Sequence, residues 1–143
     1  MGRGHYSLSL LGALLGASGA VAQTPSKSYA ALQDAVPGLW QLKSHDRGTP
    51  GLQLCVADVR ILLQIRHRAL VCPVSLIKEG DRATQVHYSC AGLGYGDTRI
   101  RAVSAHELII DTQGEIGHEP FADMYDAERV GDCAAASGHT RPR

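Results

Sequence analysis

The chain has 143 residues, fourteen Lys and Arg balanced by fourteen Asp and Glu, and 44% apolar side chains. Zero net charge without a basic block excludes the usual nucleic-acid binder, whose footprint is a clustered Lys/Arg excess. High apolar content with dispersed charges excludes general disorder, and the length suits one domain.

In chain order, residues 1–22 read as a cleaved secretory signal. Arg3 stands in a short start, an apolar stretch runs from Leu8 to Val21, and Ala20-Val21-Ala22 precedes Gln23. This is the charged, apolar and small-residue succession of an export signal. The stretch is about 15 residues long, short of the roughly 20 that span a bilayer, so a membrane anchor is not expected. No later stretch is long enough to span either, and the mature protein is expected to lack a transmembrane segment.

Residues 23–36 are polar and irregular apart from Tyr29 to Leu32 and are read as an N-terminal linker with one frayed turn, before Pro37-Gly38 breaks the chain. The domain is expected over 37–133. Residues 39–44 alternate, which puts Trp40 and Leu42 on one strand face and Gln41 and Lys43 on the other. A loop at 45–51 and a second strand at 52–55 follow. Val59, Leu62, Leu63 and Arg66 fall at helical spacing, Asp58 suits a first turn, and Arg66, His67 and Arg68 suit a last one. A short helix over 56–68 is expected.

Residues 73–90 read as a hairpin turning at Gly80-Asp81-Arg82. Thr84, Val86, Tyr88 and Cys90 share one face of its second strand, and Gln85, His87 and Ser89 share the other. The Gly-spaced segment 91–97 is expected to be a turn. It lacks the following helix that a phosphate-cradling loop needs, because 98–103 reads as strand. Another strand at 106–112 carries Leu108 and Ile110 inward. The acidic segment 113–123, broken by Gly and Pro, reads as loop or edge, and 124–133 as the last strand. The tail 134–143 is expected to be disordered.

Cys55, Cys72, Cys90 and Cys133 all lie beyond the signal. An even count in an exported chain points to disulfides, since the periplasm keeps thiols oxidised. A metal site through His87-x-x-Cys90 is disfavoured, because no two cysteines have the short spacing of structural zinc ligands. Of three possible pairings, Cys55–Cys72 with Cys90–Cys133 is expected. The first would close a short loop over the helix, and the second would tie the chain end to a central strand.

Pro37-Gly38-Leu39-Trp40, Cys55 before a short helix, Cys72, Glu79-Gly80-Asp81-Arg82-Ala83-Thr84 leading to Cys90, and the closing Arg129-Val130-Gly131-Asp132-Cys133 together resemble the DUF3617 family. These are small exported proteins of Gram-negative bacteria with no established catalytic residues. The resemblance spans roughly residues 36–133. It implies a periplasmic location and a compact, mainly antiparallel β domain with paired cysteines. The chain departs from that pattern at its acidic, His-containing 115–128 stretch.

The expected architecture is mainly β: a curled antiparallel sheet or small barrel-like meander with one short helix and two disulfides. Curled sheets commonly enclose apolar ligands, so the function expected is a non-catalytic binding or interaction module of the cell envelope. Trp40, Leu42 and Tyr88 are its ligand-facing or core residues, and its partner is a small apolar ligand or an envelope protein. A structural envelope component without ligand is an alternative, and no cofactor or metal is expected. A monomer is expected.

An enzyme is disfavoured. His87, Ser89, His106, His118, Glu115, Glu119 and Asp123 supply candidate groups for hydrolytic or metal-dependent chemistry, chiefly His87 and His118 with nearby carboxylates. Their spacing shows no nucleophile with a base and an orienting group, and no H-E-x-x-H. Glu115-x-x-His118-Glu119 would need a helix, which Gly114, Gly117 and Pro120 oppose.

Overall fold

The computed structural model describes residue 1 and residues 29–134. The signal segment 1–22, the first part of the linker and the tail beyond 134 lie outside the described residues. Period-two alternation dominates from Gly38 onward, and it builds seven strands: β1 (Gly38–Ser44), β2 (Leu52–Val56), β3 (Val74–Glu79), β4 (Ala83–Cys90), β5 (Gly94–Ser104), β6 (Glu107–Ile116) and β7 (Glu119–Gly131). They form one fully antiparallel sheet in the order β2-β1-β7-β6-β5-β4-β3. Strands β3 to β7 are a simple meander. The first hairpin adds to its far side, with β1 against β7. Among the described residues the sheet is not closed into a barrel, and β2 and β3 are its two edges.

One face of this sheet is the core. Trp40 and Leu42 from β1, Val86 and Tyr88 from β4, Ile100 from β5, and Leu108 and Ile110 from β6 are fully buried, as the alternation requires. Two 3-10 segments cover that face, η1 (Ala30–Leu32) and η2 (Val59–His67). They bury Ala31, Leu32, Leu62, Leu63 and Ile65. The Tyr29–Leu32 patch is therefore a packed part of the domain, not a linker. It is held by Ala30 N to Glu79 Oε1 at 2.7 Å and by Ala31 N to Thr84 Oγ1 at 3.1 Å.

Several expectations are corrected. The helix expected over 56–68 is a kinked 3-10 segment whose Gln64 has non-helical dihedrals (φ −131°, ψ 44°). Val56 belongs to β2, so the segment starts later. The Gln64 amide bonds the Leu70 and His67 carbonyls and accepts from Cys72 N, a local alternative that competes with helix continuation.

The expected loop at 113–123 is instead the tip of a long β6–β7 hairpin. It turns at Gly117 and His118, both with positive φ (56° and 72°), as a two-residue primed turn requires. Gly114 and Pro120 obscured it. Gly114 sits where a Cβ would strike the Tyr95 carbonyl of β5, so this glycine permits close pairing. Pro120 lies in the part of β7 that β1 does not reach, where only β6 pairs with it. The expected 91–97 turn is likewise shorter, since β5 begins at Gly94 and pairs with β4 from there.

The expected cysteine pairing is also overturned. The disulfides are Cys55–Cys133 and Cys72–Cys90, with Cα separations of 5.4 and 4.9 Å. Register is the reason. Val74 pairs with Tyr88 and Pro73 O accepts from Ser89 N, which carries Cys72 opposite Cys90. Leu39 of β1 lies between Cys55 and Gly131, so the Cys55–Cys133 bond crosses β1 and ties β2 to the end of β7.

Candidate functional site: an apolar groove beside the core

Trp40, Leu42 and Tyr88 are core residues. All three are 0% exposed: Trp40 and Leu42 pack with η1, η2 and neighbouring aliphatic side chains, and Tyr88 packs with Cys72, Cys90, Leu70 and Val74. Their polar atoms are used internally. Trp40 Nε1 donates to the Val36 carbonyl at 3.0 Å. His67 lies edge-on to Tyr88, its Nε2 3.2 Å from the Leu93 carbonyl and its Nδ1 3.1 Å from the Tyr88 hydroxyl. A carbonyl only accepts, so the neutral ring carries its proton on Nε2 and Nδ1 accepts from Tyr88. Burial pushes the Tyr88 phenol up to about 12. Nearby, the buried Thr98 and Thr112 hydroxyls bond at 2.8 Å.

The opening lies outside that core. A groove of about 690 Å³ runs between η2, the segment after it, Tyr29 and the start of the edge strand β3. Ile61, Leu63, Leu70, Val71 and Val74 supply its apolar walls. Local chemistry fixes the walls in place. The Gln64 amide staples the 67–72 segment to η2, and the Cys72–Cys90 bond clamps that segment onto β4. Val71, at the rim, presents its whole side chain to solvent, being 102% exposed.

Three charged residues line the groove: Asp58, Arg60 and Arg68. Asp58 accepts from the Arg60 backbone N at 3.0 Å and from its guanidinium Nη2 and Nε at 2.5 and 2.9 Å. The hydrogen bonds from Arg60 hold the Asp58 carboxyl below the usual carboxylate range. Among the described residues, Arg68 pairs with no carboxylate, and its one bond is a long one to the Ile65 carbonyl at 3.5 Å. The groove is therefore apolar, preformed and marked by one uncompensated cation.

The polar residues singled out by sequence do not converge. His87 bonds Asp97, Nδ1 to Oδ1 at 3.0 Å, on the open face of the sheet, while His118 sits in the β6–β7 turn 3.5 Å from Glu115. His106 and Ser89 are exposed, as is Glu119. Asp123 is mostly buried 3.4 Å from Arg66, which also lies over the Phe121 ring. That pair is a charge contact without hydrogen-bond alignment, since Asp123 Oδ2 has no hydrogen-bond partner. Burial, together with the Asp123 charge, pushes the neighbouring Tyr125 phenol up. Among the described residues no three His, Cys, Asp or Glu side chains are grouped to hold a metal ion, and no helix is long and apolar enough to cross a membrane.

No family model, curated protein or solved structure matches the chain.

Of the groove residues, sequence alone reads Asp58, Leu63 and Arg68 only as parts of a short helix, and singles out none of them as a binding residue. The available signal was Leu70-Val71, an apolar pair just before Cys72 that the helical pattern of 56–68 does not use.

Proposed function

We propose that the protein is a non-catalytic binding module of the Gram-negative cell envelope, exported to the periplasm and akin to the DUF3617 proteins, and that its groove takes a small apolar ligand. The observation that carries this reading is the preformed groove. Its volume lies within the range of small-molecule sites, its lining is mostly apolar, and Val71 gains burial only when something occupies it. Two disulfides suit an oxidising compartment. A small ligand is favoured over a docked protein because the apolar lining is gathered around one groove of about 690 Å³.

The test is fluorescence titration with the neutral apolar probe N-phenyl-1-naphthylamine. Saturable binding with one site per chain is expected. Replacing Leu70 with Glu should weaken it at least tenfold, with near-UV circular dichroism showing the fold retained. Absence of saturable binding by the wild-type protein would refute the reading.

A further inference from the structure

The charge at the groove narrows the class of ligand, on the reading that the groove is a binding site. Asp58 and Arg60 neutralise one another through a two-pronged contact, and Arg68 remains with donors free. The charged lining thus sums to a single positive charge beside an aliphatic channel. A neutral ligand would leave that guanidinium without a charged partner, and a doubly charged phosphate monoester would exceed it. A carboxylate matches it in charge and in fork geometry.

We propose that the groove binds a single-chain fatty acid, its carboxylate on Arg68 and its tail along Ile61, Leu63, Leu70 and Val74, with Val71 folding over the chain. Arg68 suits this task by position. It directly follows η2, whose C-terminal turn the Gln64 amide holds, so a braced segment places Arg68 in the groove lining. The apolar walls and the cation face one space, which is the arrangement an amphiphile requires and a purely apolar ligand does not.

The experiment is calorimetric titration of the full mature protein, disulfides intact, with palmitate below its aggregation concentration, alongside methyl palmitate and hexadecyltrimethylammonium. Palmitate is expected to bind at least tenfold more tightly than either. Arg68→Glu should weaken palmitate at least tenfold and reverse the preference toward the cationic amphiphile. Arg68→Lys should stay within about threefold of the wild type, which separates charge from folding. Arg99→Glu, on the open sheet face away from the groove, should match the wild type and controls for overall charge. Equal binding of palmitate and its methyl ester, or undiminished palmitate binding by Arg68→Glu, would overturn the fatty-acid assignment while leaving an apolar binding site intact. If neither palmitate nor the neutral naphthylamine probe binds, the groove is no binding site and both readings fall.

Discussion

Tyr88 shows how a single core side chain combines packing with a polar commitment. Its ring lies across Gly96, its cross-strand partner, where a Cβ would overlap the phenol. Gly96→Ala should therefore destabilise the domain by about 1–3 kcal/mol, the range for forcing extra volume into a packed core, as read from urea melts. Tyr88→Phe keeps the ring but leaves His67 Nδ1 without its donor, and a loss of about 1–3 kcal/mol is expected. The same phenol makes stability depend on alkaline pH. Its folded value lies near 12 against an ordinary 10, so above pH 10 the unfolded chain releases this proton first. The contribution is complete below pH 10 and is lost as pH rises toward 12, amounting to about 2–3 kcal/mol at most. Melts of wild type and Tyr88→Phe between pH 9 and 12 should show a steeper decline in the wild type. Parallel curves would contradict the assignment.

At the scale of elements, η2 and the segment after it have most influence on the site. Asp58 caps η2 through the Arg60 backbone N, and Asp58→Ala should cost about 1 kcal/mol. The same change unpairs Arg60 and adds a second free cation to the groove lining. The two disulfides brace different elements and should separate experimentally. In the chain-entropy model, a closure with sequence separation 18 stabilises by roughly 3 kcal/mol and one with separation 78 by roughly 4–5 kcal/mol. Removing Cys72–Cys90 with paired alanines should lower stability and also weaken groove binding, because it frees the wall. Removing Cys55–Cys133 should lower stability at least as much while leaving binding near wild type, because that bond joins β2 to the end of β7 across β1. Equal loss of binding in both double variants would argue against a wall held by the Cys72–Cys90 bond.

For the molecule as a whole, one antiparallel sheet with one covered face explains both the filled interior and the position of the groove. The covered face is filled by Trp40, Leu42, Tyr88 and their aliphatic neighbours, and the groove lies where η2 and the segment after it meet the edge strand β3. Peptide mapping without reduction should recover Cys55–Cys133 and Cys72–Cys90. A peptide joining Cys55 to Cys72 would contradict the register of the sheet as well as the pairing.

Alternation along the chain was enough to place Trp40, Leu42, Val86, Tyr88, Leu108 and Ile110 on buried faces, and to locate most strands and the β3–β4 hairpin, because side-chain direction in a strand is a local property. The even cysteine count implied disulfides for an equally local, chemical reason. Pairing was different. Loop-closure entropy changes only slowly with length, so spacing barely distinguishes the alternatives, and the choice fell to strand register. Gly114 and Pro120 made a strand look like a loop because their tolerance depends on how closely β5 approaches and how far β1 extends. The groove was least legible of all. It is a space between η2, the stapled segment, Tyr29 and an edge strand, and a space bounded by residues distant in the chain exists only once the sheet, the kink at Gln64 and the Cys72–Cys90 bond have brought its walls together.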